Sequence, residues 1–174
     1  MNREYWKNFY VVSRENKPTE FAKFCDKIMN DKIVELGCGN GRDLNYFNRI
    51  NRRAVGIDFG VSGDNIINMD LNSYIEEMDS PDNVYSRFFW HSIDRKLQLK
   101  ILKWAKKYIF IEARTDKDNP RNLFGKHERN LVNVSKLIKD LLANNFDILY
   151  LVQGRGLSKM EDEDPFVVWL MAKK

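Results

Sequence analysis

Hydrophobic positions along the chain alternate between a spacing near 3.6 residues and short unbroken apolar runs, the pattern of amphipathic helices interleaved with buried strands. Residues 18–29 predict a helix, with Thr19 placed to cap it and Phe21, Phe24, Cys25, Ile28 and Met29 on one face. The short segment from Tyr5 to Tyr10 before it reads as helical or as a lid. Lys32–Leu36 is an apolar run that stops at Gly37, which suits a buried strand. Arg42–Arg49 carries Leu44 and Phe47, with Ile50 just beyond, as the helix that follows. Residues 54–58 supply the next strand and complete a βαβ unit.

Residues 65–69 read as a third strand ending at Asp70, and residues 83–89 as a fourth, entered through the polar turn Asp79-Ser80-Pro81-Asp82-Asn83. Leu97, Ile101, Ala105 and Tyr108 mark a helical stripe, and residues 107–112 a fifth strand. The polar stretch 113–130 is too long for an ordinary connection and is a candidate substrate loop. Val134, Leu137, Ile138, Leu141 and Leu142 mark another helix. Two last strands, 146–152 and 166–172, are joined by the turn-rich segment 154–165, so one of them should run antiparallel. The expected architecture is α/β: a Rossmann-like three-layer sandwich around a mostly parallel seven-stranded sheet with an antiparallel C-terminal strand. Ligands of such sheets bind beyond the carboxyl ends of the strands, at the topological switch point.

Composition narrows this picture. A chain of 174 residues, 43% of them apolar, suits one domain, with residues 1–30 as an N-terminal helical segment covering the site. No apolar run reaches the roughly 18 residues of a membrane span, and the charged, aromatic N-terminus does not suit a signal peptide, so a soluble cytoplasmic protein is expected. Cys25, Cys38, His91 and His127 are too few and too scattered for a disulfide framework or a structural zinc, and no metal is expected. The net charge of +4 is spread along the chain, which tolerates an anionic partner without demanding one.

The chemistry concentrates at the first strand end, Glu35-Leu36-Gly37-Cys38-Gly39-Asn40-Gly41, where glycines let the backbone turn sharply and approach a ligand. Asp58 closes the second strand 17 residues after Gly41, near the spacing at which a carboxylate can accept from both hydroxyls of a ribose. Asp70 closes the third and could reach an adenine amino group.

The runs Val34-Glu35-Leu36-Gly37-Cys38-Gly39-Asn40-Gly41-Arg42-Asp43 and Val55-Gly56-Ile57-Asp58-Phe59-Gly60 resemble motifs I and II of class I methyltransferases that use S-adenosylmethionine (AdoMet). The resemblance implies that Glu35, Gly37, Cys38, Gly39, Gly41, Asp58 and Asp70 form the AdoMet site. In it the glycines would surround the methionine part, Asp58 would hold the ribose and Asp70 would sit near the adenine. S-adenosylhomocysteine (AdoHcy) would be the product. Carboxylates suit this ligand because it carries a sulfonium and an ammonium, whereas a dinucleotide pyrophosphate favours dipolar or basic surroundings.

Downstream, the segments 84–94, 109–118, 125–130 and 161–174 resemble a small group of methyltransferases linked to polysaccharide and surface-glycan biosynthesis. Tyr5-Trp6 and Pro18-Thr19-Glu20-Phe21-Ala22 extend that likeness to nearly the whole chain. It implies O-methylation of a sugar or related small molecule. His91, Arg87 and Glu112 are the candidate catalytic residues, and Arg87, Arg114, His127 and Arg129 the candidate acceptor ligands. Arg87 could instead form an ion pair with Glu112 or Asp94, and His91 could simply bond a loop backbone. The basic residues from Arg95 to Lys107 leave an RNA acceptor as the alternative, beside a non-catalytic partner subunit of the same fold. The sequence does not specify the oligomeric state.

Overall fold

The computed structural model describes residues 17–29, 32–118, 130–160 and 163–174. The first helix among the described residues, α1 (Glu20–Asp26), starts at Thr19, whose side chain accepts the Ala22 N–H. There follow β1 (Lys32–Leu36), α2 (Arg42–Arg49), β2 (Arg53–Asp58), β3 (Ile66–Asn68), α3 (Leu71–Glu77) and β4 (Asn83–Arg87). A 3-10 turn (Trp90–Ser92) leads into α4 (Arg95–Trp104), β5 (Tyr108–Arg114), α5 (Val134–Ala143), β6 (Asp147–Gly154) and β7 (Val167–Lys173).

The seven strands of the described residues form one sheet in the order β3-β2-β1-β4-β5-β7-β6. β3 to β5 pair in parallel, and only β7 is reversed, antiparallel to both β5 and β6. The chain leaves β1 in one direction for β2 and β3 and returns on the other side for β4. The switch point therefore lies between the carboxyl ends of β1 and β4, where Leu36 pairs with Ser86.

Strand periodicity divides the core. Ile33, Tyr85, Phe110 and Met171 face α1 and α2, where they meet Phe21, Cys25, Leu44 and Phe47. Their neighbours Val34, Val84, Ile109 and Leu170 face α3, α4 and α5, against Tyr74, Ile101, Leu102 and Leu137. This is the three-layer α/β sandwich with a reversed C-terminal strand expected from the hydrophobic pattern.

Several details depart from that pattern, among them Ile28, expected on the buried face of α1 but 40% exposed and beyond its end. Helix α3 was not among the expected elements, although Asp70 caps it and Leu71, Tyr74, Ile75 and Met78 repeat at helical spacing. Tyr108 is not the end of a helical stripe, because α4 stops at Trp104 and Tyr108 opens β5. Leu142 belongs to α5 but is 55% exposed, lying off the face that Leu137 and Leu141 bury. The expected Tyr5–Tyr10 segment and most of the 113–130 loop lie outside the described residues.

Candidate functional site

The glycine turn between β1 and α2 needs its glycines. Gly37, Gly39 and Gly41 have φ of +68°, +54° and +77°, the left-handed region that side chains rarely adopt. At Gly37 a Cβ would also collide with the ring of Phe89, which follows β4 and packs on this turn. Gly56 on β2 is required for a different reason, since a Cβ there would meet Cys38 Sγ at 2.5 Å. The turn is pinned to β2 by its backbone: the Gly37 and Cys38 N–H groups donate to the Ile57 carbonyl at 2.8 and 3.3 Å.

Asp58 extends that attachment. One carboxylate oxygen accepts the Gly39 N–H at 3.1 Å and the other the Gly60 N–H at 2.8 Å. Each oxygen keeps a lone pair, so the same group can still accept hydroxyl donors. Asp70 is exposed and caps α3 through the Asn72 N–H at 2.9 Å.

Glu35 lies beneath the turn, 4% exposed, and its Oε2 has no hydrogen-bond partner. Burial lifts its carboxyl well above the ordinary range, the nearby Asp43 charge adds to this, and Arg87 opposes it. Asp43, in the first turn of α2, accepts the Thr19 N–H and hydroxyl at 2.8 and 2.9 Å and the Tyr85 hydroxyl at 2.9 Å. One buried carboxylate thus joins the start of α1 to α2 and β4. Cys38 is buried in the same turn, which pushes its thiol upward and leaves it protonated.

The second half of the site is built from side chains at the ends of β4 and β5. Arg87 Nε stands 3.1 Å from Glu112 Oε2, so the Glu112 ion-pair alternative forms. Neither atom has an aligned hydrogen bond, which makes the contact coulombic rather than directional. Glu112 is 1% exposed, and its other oxygen accepts the Ser158 hydroxyl. Burial pushes its carboxyl up to about 7 against the pull of Arg87. Phe88, next after β4, adopts φ +51°, a strained conformation for a bulky residue. Its N–H donates to the Glu112 carbonyl at 2.8 Å, and its ring lies 4.6 Å from the Arg87 Cζ and 5.7 Å from the Arg114 Cζ.

Arg114 is buried, and both its terminal nitrogens are engaged. Its guanidinium donates to Asp118 at 2.8 Å and in bidentate fashion to Glu163, tying the end of β5 to the connection between β6 and β7. His91 is 2% exposed, and its Nδ1 accepts the Arg114 backbone N–H at 3.2 Å. The neutral ring therefore carries its proton on Nε2. His127 and Arg129 lie outside the described residues. Trp90 and Trp169 are buried, and the Trp104 indole donates to the Met78 carbonyl at 2.9 Å.

The structure thus brings Glu35, the three glycines, Asp58, Arg87, His91, Glu112 and Arg114 to one end of the sheet. It adds Asp43, Ser158 and Glu163, none of which the spacing of residues had singled out. Asp43 sits on the polar side of its own helix pattern, and Ser158 and Glu163 lie in a turn-rich segment without periodicity. Among the described residues no group of three His, Cys, Asp or Glu side chains could hold a metal, and no helix is long and apolar enough to cross a membrane.

No protein-family model and no curated protein matches this chain. Solved structures do. The 1,6-didemethyltoxoflavin-N1-methyltransferase of Burkholderia thailandensis, with 1,6-didemethyltoxoflavin and AdoHcy bound, is 15% identical with a TM-score of 0.70 over 99% of this chain and 86% of that one. An S-adenosylmethionine-dependent methyltransferase from Methanosarcina mazei has a TM-score of 0.68 and 13% identity over 87% and 96%. Another from Archaeoglobus fulgidus has a TM-score of 0.63 and 15% identity over 99% and 95%. At these identities the likeness is one of fold, and the chain has the Rossmann-like fold of these methyltransferases.

Proposed function

We propose that the protein is an AdoMet-dependent methyltransferase that methylates a hydroxyl of a sugar, a glycan precursor or a related small molecule. The observation that carries this reading is the turn at Gly37, Gly39 and Gly41, held at the switch point by an Asp58 that still has acceptor capacity. The residues fit a cationic nucleoside. Glu35 offers a buried carboxyl oxygen with no partner, and the left-handed backbone at Gly37, Gly39 and Gly41 presents a turn without side chains at those positions. Gly37, Cys38, Gly39 and Gly41 would enclose the methionine part, Asp58 would accept from the ribose, and Asp70 would lie toward the adenine. When bound, AdoMet supplies an electrophilic methyl group on sulfonium.

The chain's own contribution to such a transfer is alignment. In-line displacement gains up to about 7 to 11 kcal/mol from well-oriented reactants, so a strong base is not required. Arg87, one strand away from the turn, would orient the acceptor. Glu112 would hold Arg87, and His91, with its Nδ1 lone pair already on the Arg114 N–H, would hold the end of β5. Arg114 would shape the acceptor side by anchoring the β6 to β7 connection, and His127 and Arg129 would contribute from the loop. The acceptor proton passes to water. The RNA alternative draws on the basic α4, but Arg95 there is paired with Asp140 and Lys100 with Glu76.

Calorimetry with AdoMet and AdoHcy tests the reading. Both should bind the native protein, and Asp58→Ala should weaken binding by at least an order of magnitude, the effect of losing charge-assisted bonds worth about 1.5 to 3 kcal/mol. Absence of binding by the native protein would overturn it. A radiolabelled-methyl screen across glycosides, nucleotide sugars and RNA then separates the acceptor classes.

A further inference from the structure

Arg87 is occupied on two of its three sides. Its Nε edge faces Glu112 at 3.1 Å, and its flat face lies over Phe88. Among the described residues nothing hydrogen-bonds Nη1 or Nη2, and the side chain is 19% exposed. The guanidinium therefore presents its two-pronged outer edge, a geometry that matches a pair of neighbouring oxygens. β4 pairs directly with β1, and Arg87 follows Ser86, the partner of Leu36 at the start of the glycine turn.

Which pair of oxygens it accepts depends on the surrounding charge. The carboxyls of Glu112, Asp43 and Glu35 and the Tyr85 hydroxyl all act on Arg87. Glu112 in turn faces Arg87, Asp43 and Arg42, with Tyr85 and the Cys25 thiol also within its field. Two guanidiniums, Arg87 and the half-buried Arg42, thus lie among the fields of three carboxyls. A phosphate or carboxylate would add negative charge to a set already compensated, whereas hydroxyls accept the same two hydrogen bonds at no coulombic cost.

We propose that Glu112, held by Ser158, compensates the charge of Arg87 so that its open edge receives paired hydroxyls of a neutral sugar and turns oxyanions away. Ser158 comes from the connection between β6 and β7, which is itself fastened by the Arg114 to Glu163 pair and by the Gly156 N–H on Asp164 at 2.7 Å. A hydroxyl donated to a carboxylate favours its charged form, so Ser158 works with Arg87 against the burial that raises Glu112. Ser158 and Glu112 are positioning and specificity residues, acting through Arg87. This deepens the sugar reading and rests on it for the acceptor, but its test needs no methyl donor and is decided even if AdoMet does not bind.

The test follows the Arg87 Nε–H signal by NMR in isotope-labelled full-length protein, assigned by its loss in Arg87→Lys. The solution is held at about pH 8, above the value near 7 to which burial lifts Glu112. Methyl α-mannopyranoside should shift the signal of the native protein in a saturable way, and inorganic phosphate should not. In Glu112→Gln, phosphate should now bind. In Ser158→Ala, the glycoside should bind several-fold more weakly, and Ser158→Thr should restore it. Phosphate acting on the native protein as strongly as the glycoside, or a glycoside that leaves Arg87 unmoved, would overturn the proposal. That native comparison decides the matter even if a variant does not fold.

Discussion

The two halves of the site are built from different materials. The half at β1 and β2 is backbone: glycines in left-handed conformations, N–H groups on the Ile57 carbonyl, and one carboxylate, Asp58, that closes the turn across 19 residues. The half at β4 and β5 is side-chain charge. There Arg87 meets Glu112, Arg114 meets Asp118 and Glu163, and Ser158 reaches Glu112 across 46 residues. A backbone cradle is specific for shape and tolerates little change at a few positions. A compensated charge cluster is specific through its sum, so altering one member changes what the others can bind.

The contrast can be broken most severely at Arg114. Arg114→Ala leaves Glu163 without its cation and Asp118 with the more distant Arg155, 3.7 Å away, and should cost about 3 to 5 kcal/mol in urea unfolding. A loss below about 1 kcal/mol would show that the cluster does not depend on compensation.

Glu112 offers a titration of the same half. Its folded carboxyl is raised to about 7 from an ordinary value of 4.5, so the folded state keeps a proton that the unfolded chain has released. The associated stability is present below about pH 4.5 and is lost as pH rises through about 7, by on the order of 3 kcal/mol. Glu112→Gln should flatten this fall in denaturation curves collected across that range. An unchanged slope would place the titration elsewhere, Glu35 being the next group raised by burial.

The smallest stability change and the sharpest functional one belong to the backbone half. Gly37→Ala must hold φ near +68° and displace Phe89, costing about 1 to 3 kcal/mol while abolishing AdoHcy binding in calorimetry. Retained binding would mean that the turn is a structural feature and not a cradle.

Much of the backbone half was legible in the residues themselves. The bounds of β1 and α2 follow from the apolar run ending at Gly37 and from the Leu44 and Phe47 spacing, and Asp58 stands at the end of β2 as expected. Helix α3 was equally legible, with Asp70 as its cap and an apolar repeat behind it.

The sequence by itself determined the alternation of strands and helices, the reversal of the last strand and the acid-flanked glycine turn. Each of these depends on neighbours within a few positions, where periodicity and backbone sterics act. Only the tertiary structure decided that Arg87 pairs with Glu112, that Arg114 is spent on Asp118 and Glu163, that His91 faces a backbone N–H, and that Asp43 ties α1 to β4. Charge partners are chosen by distance and desolvation, and both are set only when the strand ends and the β6 to β7 connection meet in space.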